Sequence, residues 1–226
     1  MYKRQEEIPI SVARGNQTSP VVARQGNDYF AVWMDDRNDP SSDIYGTRID
    51  RNGKVLDPAG IVISAASGEQ AYPSLAAEGN EMIVVWADRR NSSEYALYGT
   101  RIGLKGNVLD LEGVPLSITP RLHMFPDISC GKNECLLVWE EEIPSGKEMT
   151  GIQNIVRDVN GLRLKISGKN PSRLSIGTPI SVMPRGIGNH FARVSTDQKR
   201  FLVIWKDYRS GKAGSFGKLI EFTEGP

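Results

Sequence analysis

Four tryptophans, Trp33, Trp86, Trp139 and Trp205, stand 53, 53 and 66 residues apart in a chain of 226 residues. Each ends a short apolar run: Phe30-Ala31-Val32, Ile83-Val84-Val85, Leu136-Leu137-Val138 and Leu202-Val203-Ile204. Thirteen residues before each stands Pro20, Pro73, Pro126 or Ala192, opening a second strand-like segment. Twelve or thirteen residues after each comes a glycine (Gly46, Gly99, Gly151 or Gly217) that opens a third. A fourth segment ends in Ile63-Ser64, Ile118-Thr119 or Ile180-Ser181. Landmarks that recur in a fixed order mean copies of one supersecondary unit, each unable to bury its apolar faces alone.

Turn chemistry makes these units antiparallel. The first two segments of each copy are joined by Gln25-Gly26-Asn27-Asp28, Glu78-Gly79-Asn80-Glu81, Gly131-Lys132-Asn133-Glu134 and Asp197-Gln198-Lys199-Arg200, which are polar hairpin connections. Nothing carries a sustained helical stripe. Runs apolar at successive positions suit strands covered on both faces, and radial stacking provides that cover. The expected fold is all-β: one β-propeller domain of four four-stranded antiparallel blades, at about 20–64, 73–119, 126–181 and 192–222. Ile8-Pro9-Ile10-Ser11 matches the fourth-strand endings, and the last copy stops after its third strand. Residues 8–11 are therefore expected to close the ring beside Phe222, the alternative being a fragment of a larger propeller. Met1 to Gln5 matches no repeat and is set aside.

The pattern Pro-x-x-Ala, Val-Val-Trp-x-Asp-x-Arg, Tyr-Gly-x-Arg resembles a propeller-type repeat of bacterial secreted and cell-surface proteins. Trp33-Met34-Asp35-Asp36-Arg37 with Tyr45-Gly46-Thr47-Arg48, and Trp86-Ala87-Asp88-Arg89-Arg90 with Tyr98-Gly99-Thr100-Arg101, fit it best. Blade three departs, with Glu141 for the Asp, Ile143 for the Arg and Thr150 for the Tyr. The resemblance implies an extracellular or cell-surface location more than an activity. The Ser-x-Asp-x-Gly-x-x-Trp box of sialidase-type propellers does not occur.

The charge balance, 28 basic against 27 acidic groups, points to neither nucleic acid nor an anionic membrane, and no apolar run reaches the roughly 20 residues that span a bilayer. Residues 157–226 hold 13 Lys/Arg against 5 Asp/Glu, much of it between Arg157 and Arg173. That stretch reads as extra length between blades three and four, either a solubilised insertion or a landing site for an anionic polymer. Asp35/Arg37, Asp88/Arg90 and Asp207/Arg209 recur with the fold, which favours structural pairing over catalysis. Asp35, Asp36, Asn38, Asp39 and Asp43 crowd one loop but lack EF-hand spacing, so no metal or other cofactor is expected. Glu140, Glu141 and Glu142 could supply paired carboxylates for glycoside hydrolysis, but neighbours on a strand point to opposite sides. His123 and His190 read as polar loop residues, and neither Gly-x-Ser-x-Gly nor His-Glu-x-x-His occurs.

These features favour a non-catalytic binding or structural module, a monomer or part of a longer polypeptide, whose loop face meets a glycan or protein partner. The alternative is a glycan-active propeller enzyme, marked by a non-repeating polar cluster at the axis. Gln17, Gln70, His123 and Asn189 hold one repeat position and should ring the channel mouth, where each could meet a ligand or cap its own loop. Asp36, Arg37, Arg89, Arg90, Tyr208 and Arg209 should surround them. Cys130 and Cys135 flank a hairpin turn and should face each other, as a disulfide in an oxidising compartment or as two free thiols in a reducing one.

Overall fold

The computed structural model describes residues 7–117, 121–143, 156–167, 173–187, 190–208 and 211–222. Blade one comprises β1 (Gln17–Gln25), β2 (Asp28–Asp35), β3 (Asp43–Ile49) and β4 (Ile61–Ser64). Blade two comprises β5 (Gln70–Glu78), β6 (Glu81–Asp88), β7 (Ala96–Gly103) and β8 (Val114–Ser117). Blade three has β9 (His123–Cys130), β10 (Cys135–Ile143), β11 (Val156–Ser167) and β12 (Arg173–Ile187). Blade four has β13 (Arg193–Thr196), β14 (Phe201–Asp207) and β15 (Gly214–Ile220). Each blade is a separate antiparallel meander in chain order, the first three four-stranded and the last three-stranded. The inner strands β1, β5, β9 and β13 pack side by side in sequence, which is the radial arrangement of a β-propeller.

The apolar runs before each tryptophan divide between two neighbours because alternate residues of a strand face opposite sides. Phe30 and Val32 of blade one meet Met82, Val84 and Trp86 of blade two. Ile83, Val85 and Ala87 turn the other way, onto Cys135, Leu137 and Trp139 of blade three. Leu136 and Val138 then meet Phe201, Val203 and Trp205 of blade four. Leu202 and Ile204 hold the same forward positions in blade four but are 45% and 48% exposed, whereas Phe30, Val32, Ile83, Val85, Leu136 and Val138 are fully buried.

Polar ties cross the seams near the axis. The Asp127 carboxylate of β9 accepts the Ser74 hydroxyl from blade two (3.2 Å) and the Val194 amide from blade four (2.8 Å). Burial raises its pKa, a cost that these bonds offset. Cys130 and Cys135 are register partners joined by a disulfide, Cα atoms 4.0 Å apart.

Three expectations are corrected. Residues 8–11 form no strand beside β15 and lie instead against blade one. There Ile8 abuts Gly53, and Ile10 shares an apolar hollow of about 540 Å³ with Val22, Ala31, Trp33 and Ile49. The backward face of blade one, bearing Trp33, thus gives them apolar cover.

The third-strand glycine of blade three is Gly161, opposite Val138, as Gly46 and Gly99 lie opposite Val32 and Val85. Gly151 falls in the connection 144–155, outside the described residues. The extra length of blade three therefore precedes its third strand. Consequently, Arg157 to Arg173 is not an inter-blade insertion, since β11 and β12 occupy both ends of it.

A glycine stands at this position because neighbouring side chains close over it. A Cβ on Gly46 would come within 2.8 Å of the Ala31 carbonyl oxygen and of Phe30, and 2.9 Å of Ile63. The nearest atoms to a Cβ on Gly217 are 3.3–3.5 Å away. Gly46→Ala should therefore cost about 1–3 kcal/mol of stability by overpacking. Gly217→Ala should stay within about 0.5 kcal/mol of wild type, and urea unfolding of both variants measures the difference.

Candidate functional site

In blades one and two the residues after the tryptophan build one strut twice. Trp33 Nε1 donates to Asp35 at 2.7 Å, and Arg37 grips the same carboxylate through Nε (2.8 Å) and Nη2 (2.6 Å). Arg37 also reaches the Ala59 carbonyl and lies 4.1 Å over the Tyr45 ring. Trp86, Asp88, Arg90, the Glu112 carbonyl and Tyr98 repeat every contact. Burial alone would raise the Asp35 pKa, but bonds from Arg37 and Trp33 outweigh it and hold the carboxyl below its usual range. The Tyr-Gly-Thr-Arg arginines serve similarly, Arg48 on Asp57 and Arg101 on Asp110, each with contacts of 2.7 and 2.9 Å. These charges are frame rather than machinery.

Blade three abandons the frame. Glu141 holds the place of Asp35 yet leaves Trp139, whose Nε1 has no protein partner. Its carboxylate instead accepts Arg121 Nη1 (2.8 Å) and Asn160 Nδ2 (2.7 Å), 3.8 Å from His123 Nε2. On the opposite side of β10, Glu140 and Glu142 share Arg157 at 3.4 and 3.3 Å. Glu140 also accepts the Phe191 amide of blade four. Glu140, His123 and His190 are fully buried, and Arg157 is nearly so. His190 donates from Nδ1 to the Lys206 carbonyl (2.7 Å). Glu141, His123, Arg121 and Asn160 thus gather on one side of β10, and Glu140, Glu142 and Arg157 on the other, an arrangement that blades one and two do not repeat.

The expected ring is only partly assembled. Gln17 and Gln70 turn back on their own loops, Gln17 to the Arg14 carbonyl and Gln70 to those of Ala66 and Gly68. Gln70 is buried, and His123 belongs to the blade-three cluster. The two histidines are not surface residues, because each is roofed where one blade meets the next. Asp36 is engaged by Asn16, and Arg37 and Arg90 are strut residues. Arg89 lies over Tyr95 and pairs with Glu69, while Tyr208 is exposed. Asn189 and Arg209 lie outside the described residues. Among the described residues, no three His, Cys, Asp or Glu side chains are gathered to hold a metal.

One more repeat position lies at the mouth. Ser19, Tyr72 and Phe125 in β1, β5 and β9, and Phe191 just before β13, each stand fourteen residues before a tryptophan and all adopt positive φ, from 48° to 54°. Ring centroids of Tyr72 and Phe125 are 4.7 Å apart, and those of Phe125 and Phe191 are 5.5 Å apart. A non-glycine residue at positive φ is uncommon, and three aromatic ones in adjacent blades mark the mouth as built to hold rings there.

No protein-family model matches the chain, and no curated protein matches it in sequence. Solved structures do match. An endo-arabinase from Bacteroides thetaiotaomicron superposes with a TM-score of 0.57 at 10% identity, over 94% of this chain and 78% of that one. An α-L-arabinofuranosidase from Lactobacillus brevis gives 0.53 at 10% identity, over 91% and 72%. A Penicillium chrysogenum α-L-arabinanase complexed with arabinobiose gives 0.56 at 12% identity, over 83% and 60%. The fold is therefore a β-propeller, as theirs is. The preference for a non-catalytic module is corrected, since the solved structures that match are arabinan-cleaving enzymes and favour the glycan-active alternative. Among the described residues, no helix is long and apolar enough to cross a membrane.

Burial depresses the His123 pKa below 6.5, outweighing the pull of Glu141, and Arg121 acts in the same sense as burial. The unfolded chain takes up this proton near pH 6.5 while the folded chain does not. This contribution to stability is therefore complete above pH 6.5 and declines as the pH falls towards the folded value. Urea unfolding at pH 7.5 and 5.5 should show that loss, and His123→Gln should reduce it.

Proposed function

We propose that this chain is a glycan-active propeller enzyme, a glycoside hydrolase or lyase, with its reacting groups on blade three of the loop face. The observation that carries the reading is the replacement, in blade three, of the Trp–Asp–Arg strut of blades one and two by the Glu141–His123–Arg121–Asn160 cluster. A carboxylate locked in a strut is spent on structure. Glu141, not bonded to Trp139, is instead held by two donors, Arg121 and Asn160, beside a buried imidazole.

Cleaving a glycosidic bond needs one group to protonate the leaving oxygen and a carboxylate to activate water or attack the sugar. A lyase needs a base and a cation beside the acidified carbon. Glu141 supplies the fixed carboxylate, and buried His123, 3.8 Å away, is a positioning neighbour that does not touch the sugar. Arg121, 45% exposed at its side chain, supplies positive charge at the rim. Asn160 orients the second carboxylate oxygen. Glu140 and Glu142, which share Arg157, support the wall on the blade-four side.

The fold neighbours make arabinan the first substrate to test. A polymeric glycan would be met outside the cell, which agrees with the secreted and cell-surface repeat that the motifs resemble. The Cys130–Cys135 disulfide would persist there. The test is release of reducing or unsaturated sugar ends from arabinan, xylan and pectic polymers. Glu141→Gln should lower turnover at least about 100-fold with an unchanged melting temperature. Equal turnover by the variant, or no release by wild type from any of the polymers, would overturn the proposal.

A further inference from the structure

We infer that Tyr72, Phe125 and Phe191 form a stacking platform for a neutral oligosaccharide laid across blades two to four. This rests on the glycan reading of the mouth and names the substrate class that reading leaves open. Tyr72, Phe125 and Phe191 stand near the starts of the inner strands of adjacent blades, and their contacts link the three rings in a row, neighbouring planes tilted by 54° and 50°.

The rings are not simply seam packing. Phe125 and Phe191 belong to none of the buried seam clusters, and Phe191 is 45% exposed. Tyr72 touches the edge of one seam through Tyr95. Nor does the backbone demand an aromatic residue. Ser19 adopts the same left-handed conformation in blade one, at φ 51°, with an exposed side chain. Aromatic residues at three of four equivalent places are thus a property of the surface. Few side chains adopt a positive φ, so each ring is held there against local preference.

The platform borders the polar cluster, because the Phe191 amide donates to Glu140. Apolar ring faces beside a few converging polar groups are the composition of a sugar site: ring C–H groups lie on the aromatics while hydroxyls bond the rim. Charge selects the neutral class. Arg121 is on Glu141, Arg89 is on Glu69 and Tyr95, and Lys206 Nζ stacks 4.9 Å from the Phe191 ring and 5.1 Å from Tyr208. Among the described residues at the mouth, the cations are already paired or stacked, so a carboxylated sugar would compete for them.

The test is isothermal titration calorimetry on the Glu141→Gln protein. The probes are arabinotetraose, xylotetraose and cellotetraose, with tetragalacturonate as the acidic one. At least one neutral tetramer should bind, and Phe125→Ser/Phe191→Ser, which copies blade one, should weaken it tenfold or more. Phe191→Tyr should restore affinity to a Phe125-intact protein relative to Phe191→Ser. Should the double variant fail to fold, Phe191→Ser alone, changing a half-exposed ring, carries the same comparison. Neutral-tetramer affinity unmoved by the serine changes, binding of tetragalacturonate alone, or binding of no tetramer would each overturn the platform. Binding without turnover by wild type would support the platform while sinking the enzymatic reading. Turnover with KM unchanged by the serine changes would do the reverse.

Discussion

The architecture depends on a buried carboxylate two residues beyond the tryptophan. In blades one and two, Asp35 and Asp88 have no exposed side-chain surface, yet each satisfies an indole N–H and a bidentate guanidinium. A buried charge is tolerable only when its donors are this complete. One short segment thereby fixes the end of the second strand, the following loop and, through the arginine, the turn before the fourth strand. The Tyr45 and Tyr98 rings beneath the arginines complete the frame. With the mouth rigid in two blades, the third is released from that duty. Its glutamates are one methylene longer and reach other partners, Arg121, Asn160 and Arg157.

Much of the fold was legible because the repeat is enforced by packing. The alternation that sends Val85 to one neighbour and Val84 to the other requires successive apolar residues before each tryptophan, and those runs located the blades. Counting failed where length was not constrained. Gly161, not Gly151, is pressed between Leu136, Ile180 and Val182, and a fixed offset from Trp139 could not find it because the preceding connection is longer. Closure by Ile8 to Ser11 was read from similarity to strand endings. The same isoleucines also suit the apolar face around Trp33, and nothing in residue identity separates the two placements.

The site was legible in parts only. Glu140, Glu141 and Glu142 were visible as a run, and their alternation across β10 is as expected, but their partners come from distant segments. Arg121, Asn160 and Arg157 reach them through register, not spacing. Gln17, Gln70 and His123 share one repeat position, but the two amides cap their own loops while His123 lies beside Glu141. The aromatic residues two positions later recur at a fixed offset too, yet their positive φ is a property of the backbone that Tyr and Phe do not announce.

The seams have a direction, and that shapes how change spreads. Residues one and three before each tryptophan look towards the next blade, whereas the tryptophan and the residue two before it look back. Adjacent codons therefore belong to different interfaces. Energetically the stack is a one-dimensional array with nearest-neighbour couplings, and each seam can drift in composition while the others stay fixed. Blade three could acquire its glutamates without retuning the seam between blades one and two. Modularity of this kind lets a repeat protein specialise one unit while the remainder keeps its inherited geometry.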